Sequence, residues 1–279
     1  PVGGAVLLGC RLTPEDEAHA RETGALVVPP LGLLPYKPFR PRLYSSPELM
    51  EGYVRGDHGT FARTRDGLIY AHYARHKESE QPLPVLEALT QRVHDHAIDD
   101  ALGDLLHNNG VPRRVVAIMG GHGMERGDDA FLQVARLARG LTREGYFVAT
   151  GGGPGAMEAG NLGAYMASRD ERDLQQAVVT LSRVGRYDGE GYFDTAYEVL
   201  DRYPEGGESL AIPTWFYGHE PANLFSAHVA KYFSNSLRED GLLAMARHGV
   251  IYAPGSAGTV QEIFMDACQN HYVTFGQVS

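Results

Sequence analysis

The sequence predicts an α/β fold: a Rossmann-like doubly wound parallel sheet with an N-terminal α/β extension. Two observations predict it. From residue 111 onward, short apolar runs alternate with helical segments, an order that requires βαβ crossovers and a parallel sheet. Two of these runs, 146–150 and 250–253, pass directly into glycine-rich turns and helix starts. We place the sheet domain at residues 111–279 and the extension at residues 1–110.

The extension contains strands and helices of its own. Thr13 is a typical N-cap and Pro14 a typical first helical residue, so a helix should begin there. Apolar residues at helical spacing predict a longer helix further on, which Asn108–Gly110 should end. The predicted strands are 5–10 and 25–29, and the predicted helices are 14–23, 46–58 and 81–109.

The sheet domain shows the regular alternation. The predicted strands are 115–119, 146–150, 209–213 and 250–253. The predicted helices are 128–144, 155–168, two within 170–208, a long one over about 221–247, and 258–272. Because a further strand should follow the last helix and the sequence stops at Ser279, we expect the C-terminus to be truncated or incompletely ordered.

Composition restricts the partners. A formal charge of −10 argues against a nucleic-acid polymer or an anionic membrane as the main partner. Cys10 and Cys268 are far apart and form no C-x-x-C motif, so neither a disulfide framework nor a zinc site is predicted. No apolar run reaches the roughly 18 residues that span a bilayer. We therefore expect a cytoplasmic protein.

The most informative stretch is 251–262, which joins a strand, a glycine turn and a helix start to a carboxylate. Glycines let the backbone approach a ligand closely, and the free N–H groups of a helix start bind phosphate. Glu262 lies one turn inside that helix, where it can act as an acid, a base or an electrostatic stabiliser. A second such element spans 147–161. Two of them in one sheet indicate a phosphorylated small molecule bound across its edge.

Neither glycine turn matches a common nucleotide motif. The sequence G-G-G-P-G at 151–155 lacks the G-x-G-x-x-G spacing of dinucleotide sites, and no Lys-Ser or Lys-Thr follows it as in a Walker loop. From the residues alone, anion binding and tight turn geometry both stay open.

Taken together, G-G-G-P-G-A-M-E-A at 151–159 and P-G-S-A-G-T-V-Q-E at 254–262 resemble the LOG family, whose members are often mislabelled lysine decarboxylases. The resemblance covers 113–275. The turn at 119–124 and the segment 237–243 most resemble the larger bacterial branch, the pyrimidine/purine nucleotide 5′-monophosphate nucleosidases. The resemblance implies hydrolysis of the N-glycosidic bond of nucleoside monophosphates, which gives a free base and ribose 5-phosphate.

The resemblance also implies residue roles. Glu262 takes the place of the family's essential glutamate and Arg238 that of its arginine. Two departures from the pattern are Ser256, where the family has a second glycine, and the surroundings of Arg238, which read N-S-L-R-E. The implied substrate-binding residues are Gly120, Gly121, His122, Gly151, Gly152, Gly153, Gly155, Met157, Gly255, Ser256, Gly258 and Thr259.

A carboxylate suits this chemistry, because cleavage of a ribosyl C–N bond passes through an oxocarbenium-like state. A phosphate held at a remote site would orient the substrate. Arg238 can clamp that phosphate or orient Glu262. The alternatives are that Glu262 only favours the helix dipole and that Arg238 forms a solvated ion pair with Glu239 or Asp240.

Other residues leave alternatives open. His122 is a candidate contact to the base or a structural loop histidine. The segment 215–217 can stack on a base, or it can pack in the core or at an interface. The run 61–76 mixes aromatic residues with arginine, and the acidic charge of the chain favours a packed or oligomer-facing segment over an RNA surface. No metal site is predicted, because no H-E-x-x-H spacing occurs among His219, His228, His248 and His271.

A decarboxylase function is disfavoured, because pyridoxal phosphate enzymes need a Schiff-base lysine. Lys37 and Lys77 precede the sheet, and Lys231 falls within the predicted long helix. We expect a nucleoside monophosphate substrate, no metal or organic cofactor, and a homodimer or higher homo-oligomer, as the resemblance implies. The rivals are a non-catalytic nucleotide-binding or sensing protein of the same fold and an enzyme that transfers the ribosyl group to another base.

Overall fold

A computed structural model describes residues 3–32, 34–77, 82–107, 110–218 and 221–274. The strands are β1 (Val6–Leu8), β2 (Leu26–Val28), β3 (Val115–Met119), β4 (Phe147–Thr150), β5 (Leu210–Ala211), β6 (His228–Val229) and β7 (Val250–Tyr252). The helices are α1 (Pro14–Glu22), α2 (Ser46–Leu49), α3 (Arg65–Lys77), α4 (Val85–Leu106), α5 (Asp129–Arg143), α6 (Ala156–Tyr165), α7 (Glu171–Ser182), α8 (Tyr192–Arg202), α9 (Asn235–Met245) and α10 (Ala257–Tyr272). A 3-10 helix spans His58–Arg63.

The main sheet has five parallel strands in the order β6-β5-β4-β3-β7. The chain moves outward from β3 to β6 and then returns to the other side of β3 as β7. This reversal makes the carboxyl ends of β3 and β7 a topological switch point, where ligands bind in doubly wound folds. The predicted fold class is confirmed, and β1 and β2 form a separate two-stranded parallel sheet.

Helices cover both faces of the main sheet. Successive strand residues point to opposite sides, so each strand contributes side chains to both faces. Ala117 and Ala149 belong to one buried cluster, to which α3, α4 and α9 contribute. Ile118 and Val148 belong to the other, to which α5, α6, α7 and α8 contribute. Both faces are therefore apolar, as expected for a buried parallel sheet.

The predicted elements that frame the switch point are confirmed. The strand predicted at 115–119 has those bounds, and the strands at 146–150, 209–213 and 250–253 are each shorter by one to three residues. The N-cap predicted at Thr13 is also present, since its side chain accepts a hydrogen bond from the Asp16 N–H at 3.1 Å. The predicted helix end at Asn108 and Asn109 lies outside the described residues.

The long helix predicted over 221–247 is wrong. Strand β6 lies within that range, and helix begins only at Asn235. Side chains between 221 and 233 are buried in nearly unbroken succession, so this stretch lacks the one-sided burial of an amphipathic helix. The helix predicted at 46–58 is also too long, because Gly52 adopts φ +101° and its neighbourhood has no room for a Cβ.

In the first half of α4 the apolar residues face solvent and the polar residues face the core, the reverse of what the sequence pattern predicts. Its apolar residues Val85, Leu86 and Leu89 are exposed, Val85 at 85%. The residues buried there are polar: Glu87, Thr90, Gln91, His94 and Asp95. Apolar packing begins further along, at Ile98 and Leu102. The inward polar face is satisfied by hydrogen bonds, as buried polar groups require.

The prediction that Lys231 lies within a helix is also wrong. The residue lies in the segment between β6 and α9, and its side chain is buried. Its Nζ donates to both carboxylate oxygens of Asp66 on α3, at 2.8 and 2.9 Å. The indole N–H of Trp215 donates to the same carboxylate at 2.9 Å. This ion pair ties the N-terminal region to the segments that follow β5 and β6. Among the described residues, no helix is long and apolar enough to cross a membrane.

Replacing Lys231 by Met leaves the Asp66 carboxylate buried without a cationic partner. We expect the free energy of unfolding to fall by about 3–5 kcal/mol, measured by urea unfolding. Lys37→Met removes an exposed lysine and should change it by less than about 0.5 kcal/mol. Combining Lys231→Met with Asp66→Asn should recover part of the lost unfolding free energy. A Lys231→Met variant as stable as the wild type would contradict the role assigned to the ion pair.

Candidate functional site

Three turns meet at the carboxyl edge of the main sheet, following β3, β4 and β7. The N–H of Gly121, after β3, donates to the Pro254 carbonyl after β7 at 3.0 Å. The Gly121 carbonyl in turn accepts from the N–H of Ala156, after β4, at 3.1 Å. The two glycine elements recognised in the sequence therefore converge, joined through the turn after β3.

Glycine is required at these contacts. A Cβ on Gly121 would lie 2.9 Å from the Cα of Gly255, and a Cβ on Gly255 would collide with Thr259. Gly155 has φ +71°, and a Cβ there would lie 2.5 Å from the Gly121 carbonyl oxygen. The three turns thus pack backbone against backbone, a separation that no residue with a side chain permits.

A cavity of about 710 Å³ opens beside this junction. Its volume is in the range of small-molecule binding sites. It is lined by Met119, Gly120, Gly121, His122, Gly151, Met157, Tyr187, Tyr217, Arg238, Glu239, Ser256, Ala257, Gly258, Thr259, Gln261 and Glu262. Most of the residues singled out in the sequence are in this set, including both candidate catalytic residues.

Arg238, from α9, reaches across the carboxyl edge of the sheet. Its Nε donates to the Ile212 carbonyl after β5 at 3.0 Å. Its guanidinium lies so close to Gly151 that a Cβ there would collide with Nη2. Its Nη1 lies 3.7 Å from the Glu262 carboxylate. The side chain is 11% exposed, so the alternative of a solvated surface ion pair with Glu239 or Asp240 is wrong.

Glu262, from α10, faces the cavity with its side chain 13% exposed. Burial raises the pKa of its carboxyl above the ordinary value, although the charge of Arg238 opposes the shift, and Glu239 raises the pKa further. A carboxyl with a raised pKa beside a cavity is typical of acid–base or charge-stabilising sites.

The start of α10 forms one wall of the cavity. Ser256 is the N-cap and makes no side-chain capping hydrogen bond, so its hydroxyl does not occupy the helix end. The backbone N–H groups of the first helical turn have no partner within the helix. With Gly258 and Thr259 in the wall, this end of the helix is a suitable place for an anion.

Four of the predicted binding glycines do not line this cavity. Gly152 and Gly153 accept hydrogen bonds from the Asn223 side chain at 3.2 and 3.4 Å, and Gly152 has φ +80°. Gly155 packs against Gly121 as described. Gly255 lines an adjoining cavity of about 520 Å³ that also includes Gly121 and His122. These positions fix the turn geometry.

Two further lining residues, Glu239 and Gln261, were not predicted as site residues from the sequence. Glu239 accepts hydrogen bonds from the Tyr217 hydroxyl and from Gln261 Nε2, both at 3.0 Å. Tyr217 is exposed at the cavity, whereas Trp215 is buried in the core. Core packing is thus confirmed for Trp215 only. Glu239 follows Arg238 and Gln261 precedes Glu262 in the sequence. This adjacency to predicted site residues is the only sequence signal for them.

The N-terminal region positions α9. Asp95 on α4 accepts hydrogen bonds from the N–H groups of Phe233 and Ser234 at 2.9 and 2.8 Å. Ser234 is the N-cap of α9, so this carboxylate binds the beginning of the helix that carries Arg238. A carboxylate at a helix start also complements the helix dipole.

The glutamate in the first glycine element has a different role. Glu158 is buried and accepts two hydrogen bonds from the Arg126 guanidinium, at 2.8 and 2.5 Å. The Tyr192 hydroxyl donates to it at 2.8 Å. With both oxygens occupied, Glu158 holds α6 and α8 together. Of the two glutamates in the glycine elements, only Glu262 lines the large cavity.

The pKa shift of Glu262 predicts a pH-dependent effect on stability. Because the folded-state pKa lies above the ordinary value of 4.5, the wild type loses stability as the pH rises through that pKa. Glu262→Gln removes this penalty, so its gain in unfolding free energy should be absent at pH 4 and present at pH 8. Urea unfolding at both pH values tests it, with Glu190→Gln, at an exposed glutamate, as the control. An equal gain at both pH values would contradict the shift.

Comparison of the chain with models of known protein families gives no match. Comparison with curated protein sequences gives no match either. The resemblance to the LOG family therefore depends on the two glycine motifs and the residues around them.

Proposed function

We propose that the chain hydrolyses the N-glycosidic bond of nucleoside 5′-monophosphates, releasing a free base and ribose 5-phosphate. The observation that carries the proposal is the convergence of Arg238 and Glu262, 3.7 Å apart, in a cavity walled by the glycine turns and the start of α10. These parts come from widely separated segments of the chain, and together they provide an anion site and a carboxylate in one enclosure.

The 5′-phosphate binds at the start of α10 in this proposal. The free N–H groups there and the glycine backbone of Gly258 accommodate phosphate oxygens, and the helix dipole favours their charge. Thr259, a residue of the same wall, adds a hydroxyl donor in this proposal. Holding the phosphate at this end orients the ribose for reaction, which contributes to catalysis through remote binding.

The Glu262 carboxylate acts at the anomeric carbon. As the bond between C1′ and the base nitrogen breaks, the bonding electrons leave with the base and positive charge develops on the ribosyl ring. Ionised Glu262 stabilises that charge and directs the water whose oxygen bonds to C1′. One proton of the water passes to solvent or to the departing base. Arg238 keeps the carboxyl ionised to lower pH by its opposing effect on the pKa.

The base lies toward the aromatic side of the cavity. Tyr217 and Tyr187 both line it, and aromatic rings stack on bases of any sequence. The hydrogen bond between Tyr217 and Glu239 fixes the position of one ring. Stacking of this kind favours a flat base without selecting one, so we propose nucleoside monophosphates as the substrate class.

Glu262→Gln tests the proposal directly, because the amide keeps the shape of the side chain and removes its charge. We expect kcat to fall by about 10²–10⁴-fold while ribose 5-phosphate binds as before. The assay measures free base and ribose 5-phosphate released from AMP, GMP, CMP and UMP. Glu190→Gln serves as the matched control and should keep full activity.

Three outcomes would contradict the proposal. Nucleotide binding without turnover in the wild type would favour a sensing protein of the same fold. Full activity of Glu262→Gln would remove the carboxylate from the mechanism. Formation of a new nucleotide when a second free base is added would identify a ribosyl transferase.

Arg238→Gln tests the electrostatic relation between the two residues. Because the Arg238 charge lowers the pKa of Glu262, its removal should move the acidic limb of the kcat profile to higher pH. Activity should also fall, since the planar donor is lost. The profile is measured alongside Arg172→Gln, at an exposed arginine on α7. An acidic limb at the wild-type position in Arg238→Gln would show that Glu262 does not set it.

A further inference from the structure

The inward polar face of α4 meets two histidines of α3. His72 and His76 lie four residues apart, on the same face of α3. Their rings are edge to face with centroids 5.3 Å apart. Glu87, from the first turn of α4, is buried against them. One nitrogen from each ring and one oxygen of Glu87 all lie within 4.8 Å of one another.

We propose that His72, His76 and Glu87 bind one divalent transition-metal ion of the zinc class, which joins α3 to α4. Two histidines at positions i and i+4 of a helix present their nitrogens to one ion, as in helical zinc motifs. Imidazole and carboxylate together are donors that zinc accepts, and three protein ligands leave a fourth position for water. His76 is only half-buried, so solvent reaches that position.

The spacing suits coordination. Zinc–ligand bonds of about 2.0–2.1 Å in tetrahedral geometry place ligand atoms about 3.3 Å apart. His72 Nε2 already lies 3.1 Å from Glu87 Oε2. The His76 nitrogen lies within 4.8 Å of the other two ligand atoms and must move closer to them to bind the same ion. Two of the three ligands are thus in position without any movement of the backbone.

The surroundings of Glu87 orient the carboxylate for this role. Its Oε1 accepts hydrogen bonds from the Tyr36 hydroxyl at 3.1 Å and from Gln91 Nε2 at 3.0 Å. These two donors leave Oε2 directed at the histidines. Hydrogen bonds to the outer oxygen of a carboxylate ligand are typical of metal sites. They also explain why the polar face of α4 is turned inward here.

Metal binding replaces the hydrogen bond between His72 and Glu87, and it also changes the contact that Arg75 makes. Arg75 hydrogen-bonds His72 Nδ1 at 3.3 Å, so that nitrogen now serves as an acceptor and Nε2 carries the proton. Metal binding at Nε2 transfers the proton to Nδ1, and the exposed Arg75 turns into solvent. Arg75→Ala should therefore leave metal affinity unchanged or increase it.

The test uses the untagged full chain carrying Cys10→Ser and Cys268→Ser, since both cysteines are exposed and thiols bind zinc. After removal of metal with a chelator, titration with Zn²⁺ by calorimetry should give one ion per chain at micromolar or tighter affinity. Zn²⁺ should also raise the thermal unfolding midpoint. Co²⁺ should give the visible absorption of a tetrahedral site with nitrogen and oxygen donors.

His76→Ala should lower the affinity by at least about tenfold while leaving the metal-free midpoint unchanged, because His76 is only half-buried. His96→Ala, at an exposed histidine of α4, is the matched control and should bind as the parent does. Glu87→Gln should weaken binding through loss of charge. Absence of stoichiometric binding, or equal affinity in His76→Ala and His96→Ala, would overturn the proposal. None of these readouts depends on the nucleosidase activity.

Discussion

The packing of backbone against backbone at the switch point is the constraint on which the rest of the site depends. Three turns approach so closely that Gly121, Gly155 and Gly255 leave no room for a side chain. This contact brings the start of α10 beside the ends of β3 and β4 and so defines the wall of the cavity. The glycines allow the turns to pack closely, and this packing places the free N–H groups of the helix start beside the cavity.

Helices α3 and α4, which precede residue 111, hold segments that line the cavity in place. Asp66 on α3 binds Lys231 and Trp215, and Asp95 on α4 binds the beginning of α9. The segments they hold carry Tyr217 and Arg238 into the cavity. The N-terminal region thus positions side chains of the cavity through buried carboxylates that are hydrogen-bonded.

The sequence predicted the sheet and the meeting of its glycine turns at one edge, because both follow from local signals. Apolar runs that end in glycine turns mark strands and their carboxyl ends, and βαβ order then brings the turns together. Glu158 follows a glycine turn on a helix just as Glu262 does, so this local pattern is common to both residues. Only the structure reveals that Arg126 occupies the former. Side chains such as Tyr217 and Glu239 enter the cavity through tertiary contacts that leave no periodic pattern.

The same limitation explains the failures around α4 and β6. Hydrophobic spacing predicts which residues share a helix face. It does not predict which face turns inward when polar residues such as Tyr36 and His72 are available to hydrogen-bond the polar face. Between 221 and 233 nearly all side chains are buried, and periodicity then carries no information about helix or strand.

The distance along the chain between Asp66 and Lys231, 165 residues, has a consequence for biosynthesis. While the ribosome is still making the sheet, α3 exists without the cation that neutralises its inward carboxylate, and the aspartate must remain hydrated. The ion pair between Asp66 and Lys231 therefore cannot form until the segment after β6 has emerged. Folding is expected to finish late, by closure of a contact of very high sequence separation.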